Sequence, residues 1–317
     1  MRKKLLALLF FAIVGGIPVS NAQMVNYKIL KDDPADVTNF WLYLDALHLD
    51  MGAKNMDGAS FNIGLSSTAN YKKNLGGDFT FHYGWLTMGK SGQDKDKLNN
   101  HIKVELGGFY TLTVRNKRVN TRVILSSSSS RRGSYTVTTT KSINVPATKH
   151  MALGVRGGFY SVGGIFGTRD IENVPAIPSK INYRKTGMYV GLLSVSTRNV
   201  FINTDTDGKA IRSARTRLFA DVLILPATSA KFDGVNYKSN VDPEIFGFRF
   251  GMQVLPVELR KVKDYNIKTR GMSYGVEIGV RPIDGFYIAG NVSFCIMRKK
   301  LSILGYEAPE SSYNTSE

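Results

Sequence analysis

Residues 272–296, MSYGVEIGVRPIDGFYIAGNVSFCI, carry the pattern that decides the fold. Apolar side chains stand at every second position from Met272 to Val280, and again, with one glycine among them, from Phe286 to Ile296. Successive side chains of an extended strand point to opposite faces, so each half predicts a strand with one apolar face and one small or polar face. The turn-forming residues between Pro282 and Gly285 join the halves. The stretch therefore predicts an antiparallel hairpin of two amphipathic strands.

Composition limits the kind of protein this is. The 317 residues include 42 Lys and Arg, 25 Asp and Glu, four His and one Cys, with a formal net charge of +17. A single cysteine, Cys295, allows neither a disulfide framework nor a cysteine-based zinc site. The positive charge points to nucleic acid or to an anionic membrane surface as a partner.

The N-terminus indicates where the chain resides. Three basic residues precede an apolar run from Leu5 to Val14, and small residues follow at Ser20 and Ala22. This order predicts a signal peptide over 1–22 that is cleaved after Ala22. An exported chain is not expected to meet nucleic acid. No later run is long and apolar enough to predict a membrane-spanning helix.

Alternation alone fits either a soluble secreted β protein or a membrane barrel. Strand length and aromatic residues favour the barrel, because the predicted strands exceed the usual ~5–6 residues of globular sheets and match a membrane crossing. Aromatic residues near the strand ends suit interfacial girdles: Trp41, Tyr43, Tyr83, Trp85, Tyr110, Tyr160 and Phe286. The sequence therefore predicts an all-β, antiparallel, up-and-down transmembrane barrel in the cell outer membrane.

The alternation yields about twelve strands: 40–53, 59–71, 78–89, 101–114, 119–127, 134–145, 151–163, 186–202, 210–226, 244–256, 272–282 and 285–298. Ten result if 119–127 and 134–145 project from the membrane as an extended hairpin. Residues 23–38 are predicted to be a periplasmic arm or plug, 39–298 the barrel, and 299–317 a flexible tail. In the twelve-strand arrangement 115–118 and 146–150 are inner turns and 128–133 is an outer loop.

The alternating glycine and aromatic strands have a counterpart in known proteins. Together with Gln23 directly after the small-residue cut, segments such as Gly157-Gly158-Phe159-Tyr160 and Gly187-Met188-Tyr189-Val190-Gly191-Leu192 resemble the uncharacterised outer-membrane β-barrel proteins of Bacteroidota. Small barrels that act as accessory subunits of the type IX secretion and gliding apparatus are similar in size and charge. The resemblance implies a fold and a location but no functional residues.

The sequence gives little indication of catalysis. It contains no His-Glu-x-x-His pattern, and its Gly-x-Ser-x-Gly match at 271–275 falls on the predicted strand 272–282 and not on a strand-to-helix turn. His82 is expected to face the interior, whereas His101 and His150 stand at strand ends. The spacing of Asn203, Asp205 and Asp207 matches the start of a calcium loop but lacks the later Glu, which favours a turn. The chain is therefore predicted to be no enzyme and to hold no cofactor or metal.

Polar side chains predicted to face the lumen offer two interpretations. The set is Lys103, Glu105, Arg156, Arg249, Gln253, Glu277 and Arg281. Opposite charges could pair across a filled interior, because an unpaired buried charge is costly. Alternatively, excess positive charge could line a constriction that favours anions.

Basic residues outside the barrel suggest contacts with anions. Eight bases and no acid lie between Arg115 and His150. Arg131 and Arg132, at a predicted outer loop tip, could bind lipopolysaccharide phosphates, and Arg260, Lys261 and Lys263 could dock an acidic periplasmic or outer-membrane protein. The expected surroundings are outer-membrane lipid and lipopolysaccharide. Two functions follow: a structural or accessory subunit of an envelope or secretion complex, or a narrow pore for small anionic solutes.

Overall fold

The computed structural model describes residues 25–34, 40–52, 59–71, 74–88, 90, 95–167, 178–240, 244–255, 271–282 and 284–299. The predicted signal peptide and nearly all of the predicted tail lie outside these residues.

Antiparallel β-strands make up almost all of the described chain. They are β1 (Tyr27–Asp32), β2 (Phe40–Gly52), β3 (Ser60–Asn70), β4 (Leu75–Thr87), β5 (Ile102–Arg132), β6 (Tyr135–Gly167), β7 (Lys180–Thr204), β8 (Gly208–Phe232), β9 (Val235–Asn236), β10 (Phe246–Leu255), β11 (Met272–Arg281) and β12 (Gly285–Lys299). Short 3₁₀ turns occupy Lys95–Lys97 and Lys238–Asn240. Within the described ranges, no helix has the length and apolar character to cross a membrane.

Ten of these strands close into a barrel. Each of β2 to β8 and β10 to β12 pairs with its sequence neighbours in the set, and β12 returns to pair with β2 from Tyr287↔Gly52 to Lys299↔Phe40. The closure leaves no open sheet edge around the wall, as a lipid environment requires. The predicted antiparallel up-and-down barrel is confirmed, with ten strands in the wall instead of twelve.

The predicted turns at 115–118 and 146–150 are wrong. Both segments are extended, because β5 and β6 pair continuously from Ile102↔Gly163 to Arg132↔Tyr135. Their polar residues therefore mark the point where a hairpin leaves the barrel, and not a reversal of the chain. The projection confirms the ten-strand alternative.

The two ends of the barrel differ. One end, the hairpin end, is where β3 is followed by β4, β5 by β6 and β7 by β8, and where β12 ends. The opposite end, the loop end, is where β4 is followed by β5, β6 by β7 and β11 by β12. The predicted outer loop 128–133, with Arg131 and Arg132, lies instead at the tip that projects from the hairpin end.

The outer surface of the barrel is apolar and exposed. On β7, Met188, Val190 and Leu192 are 59%, 55% and 56% exposed on the outward face. Corresponding residues on the other barrel strands are similarly exposed, including Leu106, Phe159, Phe248 and Ile278. A continuous apolar belt of this kind is made to face hydrocarbon.

Further along β7, the same face becomes buried. Val200 and Ile202 share the alternation of Met188 but are fully buried. They join Val123, Val145, Ala147 and Ala210 in what we call the hairpin cluster. There the projecting β5–β6 hairpin packs against the β7–β8 hairpin, so that protein replaces lipid as the apolar partner.

Strand β1 fills the gap where β6 and β7 separate. It pairs with β7 from Tyr27↔Thr204 to Asp32↔Val200, outside the barrel wall. The Asp32 carboxylate accepts hydrogen bonds from Thr148 N at 2.8 Å and Thr148 Oγ1 at 2.7 Å, and pairs with Arg118 at 2.7 Å. Part of the predicted arm therefore ties the two hairpins together.

Candidate functional site in the barrel interior and the projecting hairpin

All seven predicted lumen residues lie in the interior. Lys103, Glu105, Arg156, Arg249 and Arg281 are at most 9% exposed, and Gln253 and Glu277 line the central cavity. Three aromatic residues expected in the girdles, Trp41, Tyr43 and Tyr160, lie here as well, at 0–1% exposure. Their alternation places them inward, so the girdle expectation is wrong for these three. Tyr83, Trp85, Tyr110 and Phe286 remain on the outside.

Arg249 on β10 is the centre of the interior. Its guanidinium forms two hydrogen bonds to the Glu105 carboxylate, at 2.9 and 2.8 Å, and a third to Asp221 at 2.7 Å. Glu277 lies 3.4 Å away. A planar guanidinium presents several donors in fixed directions, so one arginine can hold three carboxylates. The network connects β5, β8, β10 and β11 across the lumen.

Two further cations complete this central layer. Lys103 lies 2.9 Å from Glu105 and 3.4 Å from Glu277, and Arg156 lies 3.5 Å from Asp221. Arg156 and Arg249 both stack on the Tyr189 ring, each with its guanidinium carbon 4.8 Å from the ring centroid. The layer thus holds three cations and three carboxylates, and a removed partner would leave buried charge unpaired.

A second layer closes the lumen toward the loop end. Arg281 pairs with Asp50 across the β11–β12–β2 sheet and with Asp284 at 3.2 Å. The Tyr183 hydroxyl donates to Asp284 at 2.9 Å. Tyr287 packs under Arg281, with the guanidinium 3.9 Å from its ring centroid.

A third layer lies toward the hairpin end. Arg217 on β8 forms hydrogen bonds of 2.8 and 2.6 Å to Asp78 on β4. Beside it, Arg215 stacks on Trp41 at 4.9 Å. Here too charge is paired across the lumen instead of lining an open path.

The interior as described is balanced in charge. Its seven basic residues are Lys103, Arg156, Lys185, Arg215, Arg217, Arg249 and Arg281, and its seven acidic residues are Asp45, Asp50, Asp78, Glu105, Asp221, Glu277 and Asp284. The cavity beside the central layer is about 110 Å³, and a second cavity toward the loop end, lined by Asn182 and Tyr183 among others, is about 580 Å³. Of the two sequence interpretations, this geometry corresponds to paired charges in a filled lumen.

Histidine and aspartate residues meet beside the central layer. His82 Nε2 lies 2.7 Å from the Asp45 carboxylate, and the His48 ring stacks on His82 with centroids 3.9 Å apart. Ser66 Oγ donates to the Asp45 carboxylate at 3.0 Å, so this hydroxyl is not aligned with the imidazole as a nucleophile would be. Among the described residues, no group of three His, Cys, Asp or Glu is arranged to hold a metal ion.

The Asn203–Gly208 segment forms a turn. Thr204 Oγ1 accepts from Asp207 N at 3.1 Å and donates to Gly208 O at 2.9 Å. Asp207 pairs with Lys141 of the projecting hairpin at 2.6 Å, and this ion pair holds the pKa of the Asp207 carboxyl below its usual value. The turn is thus a fixed contact between the two hairpins.

The basic residues of the projecting hairpin remain outside the barrel. Arg115, Lys117, Arg118 and Arg122 are exposed along β5, and Arg131 is exposed near the tip. Arg132 is in the last position of β5. The other predicted anion or partner contacts, Arg260, Lys261 and Lys263, lie outside the described residues.

Sequence reasoning missed much of the interior network. Asp45 and His48 both face inward although three positions separate them, because a bulge between Asp45 and His48 shifts the alternation of β2. Simple alternation cannot locate such a bulge. Asp78, Asp221 and Arg217 do stand on inward positions, and extending the alternation through β4 and β8 would have found them.

The apolar belt and the closed strand order identify the architecture. The chain has the fold of an outer-membrane β-barrel. It matches no protein-family model, and no curated protein is similar enough in sequence to match. Among solved structures, it is weakly similar to OmpTdeltaL8, a loop L8 deletion mutant of OmpT, an outer membrane protein of Vibrio cholerae, with 10% identity over 82% of this chain and 100% of that one and a TM-score of 0.18.

The trimer form of in-vitro folded OmpT from the same organism gives 10% identity over 86% and 100% of the two chains, with a TM-score of 0.16. A further in-vitro folded OmpT gives 9% identity over 84% and 99%, with a TM-score of 0.15. At these scores, the description of the barrel rests on its own strand pairing.

Proposed function

We propose that this chain is a non-enzymatic structural or accessory subunit of an envelope or secretion complex in the outer membrane. The observation that carries the proposal is the projecting β5–β6 hairpin, which extends far beyond the last barrel pairing of β5 and is braced by the hairpin cluster and Asp32. A barrel that only conducted solute would need no such extension.

The hairpin end is proposed to face the periplasm. In outer-membrane barrels the short turns lie on the periplasmic side and the longer loops outside. Here β3–β4 and β7–β8 are joined by four and three residues at the hairpin end, whereas β4–β5 and β6–β7 are joined by fourteen and twelve at the loop end. Two connections depart from this pattern: sixteen residues join β10 to β11 at the hairpin end, and three join β11 to β12 at the loop end. In this orientation the projecting hairpin reaches toward periplasmic partners.

The filled interior argues against the pore alternative. A channel for anions needs a continuous wet path with excess positive charge. Seven cations face seven carboxylates here, and Arg249, at the middle, has no exposed surface.

One experiment separates the two functions. The folded, purified protein is placed in a planar bilayer beside a known porin as the positive control, and its native complex is isolated in mild detergent and sized. We expect no stepwise current and a complex larger than the chain alone. Stepwise anion-selective current from a chain that elutes alone would overturn the proposal.

A shortened variant tests the role of the hairpin. Because Ser127 pairs with Thr140, residues 128–139 can be replaced by Asn-Gly to give a tight turn. We expect this variant to form the barrel but to lose the large complex. Val235→Ser, an exposed change at the loop end, is the matched control and should retain it.

A further inference from the structure

The projecting hairpin has sheet edges without partners. Strand β4 pairs with β5 as far as Leu75↔Tyr110, and Thr111 N donates to Asn74 O at 2.7 Å. From 112 to 132, β5 pairs with β6 alone among the described residues. One row of backbone N–H and C=O groups therefore remains open along β5 beside the barrel.

This open edge is strongly basic. Arg115, Lys117, Arg118 and Arg122 lie within eight residues, and residues 112–122 contain no acid. All four side chains are exposed; Arg118 is already paired with Asp32 at 2.7 Å, and Arg122 Nε donates to Ser142 Oγ at 2.8 Å. Because alternate residues of a strand point to opposite faces, Arg115 and Lys117 lie on one face and Arg118 and Arg122 on the other. A strand added to this edge would meet positive charge on both of its faces.

We infer that the open edge of β5 over residues 112–122 binds an acidic, extended segment of a partner protein by strand addition. Main-chain hydrogen bonds would supply the attachment, and carboxylates opposite Arg115, Lys117 and Arg122 would supply the selectivity. The inference rests on the proposed function, because it names the partner chemistry of the same projecting hairpin.

The positive charge of this edge also disfavours a second copy of the chain as its partner. Lysine and arginine on an open edge discourage pairing with another copy, since two like edges bring four bases against four. The same charges attract an acidic strand. The second open edge, 135–147 on β6, carries Lys141 as its one base, and Lys141 is already paired with Asp207. The β5 edge is therefore the preferred site.

A photo-crosslinking residue in place of Asn116 tests the inference in the full chain, in cells that make the protein naturally. Matched positions are Val137 near the tip and Tyr274 on the apolar belt, both exposed but away from the edge. We expect position 116 to crosslink to another protein through a peptide of net negative charge. Positions 137 and 274 should not yield that product.

Charge variants supply the second arm. The double variant Arg115→Glu, Lys117→Glu should lower the crosslink yield about tenfold, because two attractive cross-strand pairs become repulsive. Arg115→Lys, Lys117→Arg keeps the charge and should retain the yield. In the isolated complex, amide hydrogen exchange within 112–122 should slow at every second residue. This pattern distinguishes strand addition from a side-chain contact, because alternate backbone N–H groups of β5 point to its open edge.

Several results would overturn the inference. The first is the absence of a crosslink at position 116. The second is a crosslink to lipid, to a second copy of the chain, or to this chain's own residues 301–317, which contain Glu307, Glu310 and Glu317. The third is an equal crosslink yield from the charge-reversed variant. If the large complex persists while position 116 fails to crosslink, the inference fails and the proposed function stands. If the chain elutes alone and conducts ions, the proposed function fails.

Discussion

Arg249 and Glu105 lie 144 positions apart in the chain, yet they form two parallel hydrogen bonds of 2.9 and 2.8 Å in the middle of the barrel. The pair joins β10 to β5 across the lumen and belongs to a layer in which three cations balance three carboxylates. Charge inside the barrel therefore serves to close and brace it.

Removal of the central guanidinium should weaken the barrel. Arg249→Met leaves Glu105, Asp221 and Glu277 with too few cations, and we expect a loss of about 3–5 kcal/mol in the free energy of unfolding. Arg249→Lys keeps the charge but not the paired geometry and should lose less. The urea dependence of folding in lipid vesicles measures both. Wild-type stability in Arg249→Met would mean that the network does not support the fold.

Two exposed apolar residues should respond differently to charge. Ile278 on the belt and Val137 near the hairpin tip are 43% and 44% exposed. Ile278→Arg places charge in hydrocarbon and should cost about 2–4 kcal/mol. Val137→Arg places it in water and should change the free energy of unfolding by less than about 0.5 kcal/mol. Equal effects, measured as yield and stability of the folded barrel, would contradict the assignment of the belt.

A close approach in the interior makes Gly107 sensitive to substitution. A Cβ at this position would overlap the Tyr189 hydroxyl, which belongs to the ring that stacks on Arg156 and Arg249. We expect Gly107→Ala to destabilise the barrel by about 1–3 kcal/mol through overpacking. At Gly290 the nearest atom to a new Cβ is 3.7 Å away. Gly290→Ala, in the same unfolding assay, should therefore be nearly neutral, and a reversed order would contradict the packing.

The contact between the two hairpins should depend on pH. Lys141 lowers the pKa of Asp207, so the contact is stabilised fully above the ordinary carboxyl pKa of about 3.9 and is lost as the pH falls through the lower folded value. Spin labels at Thr139 and Thr206, in a Cys295→Ser background, report the separation of the hairpins. We expect a narrow distance distribution at neutral pH and a broad one in strong acid.

Substitution of the carboxyl supplies the control for this measurement. Asp207→Asn should give the broad distribution at every pH. A narrow distribution in Asp207→Asn at neutral pH would show that the apolar hairpin cluster alone holds the two hairpins together.

Sequence determined the wall of this protein. The alternation in 272–296 predicted each boundary of β11 and β12 to within one residue. It could do so because the period of two follows from the strand geometry of a single chain segment. The apolar face and the inward positions of Arg249, Glu105 and Glu277 followed from the same rule, and strand length favoured a barrel over a soluble sheet.

The tertiary structure decided two features that the alternation could not predict: the facing of residues after a bulge and the extent of β5 and β6. The bulge after Asp45 reset the facing of β2, and pairing with β6 kept 115–118 extended where their polar character predicted a turn. Neither depends on the residues of the segment alone, because a bulge or a pairing is defined by the neighbouring strand. The partners of each interior charge likewise exist only once ten strands have closed, since that closure brings distant side chains within hydrogen-bonding distance.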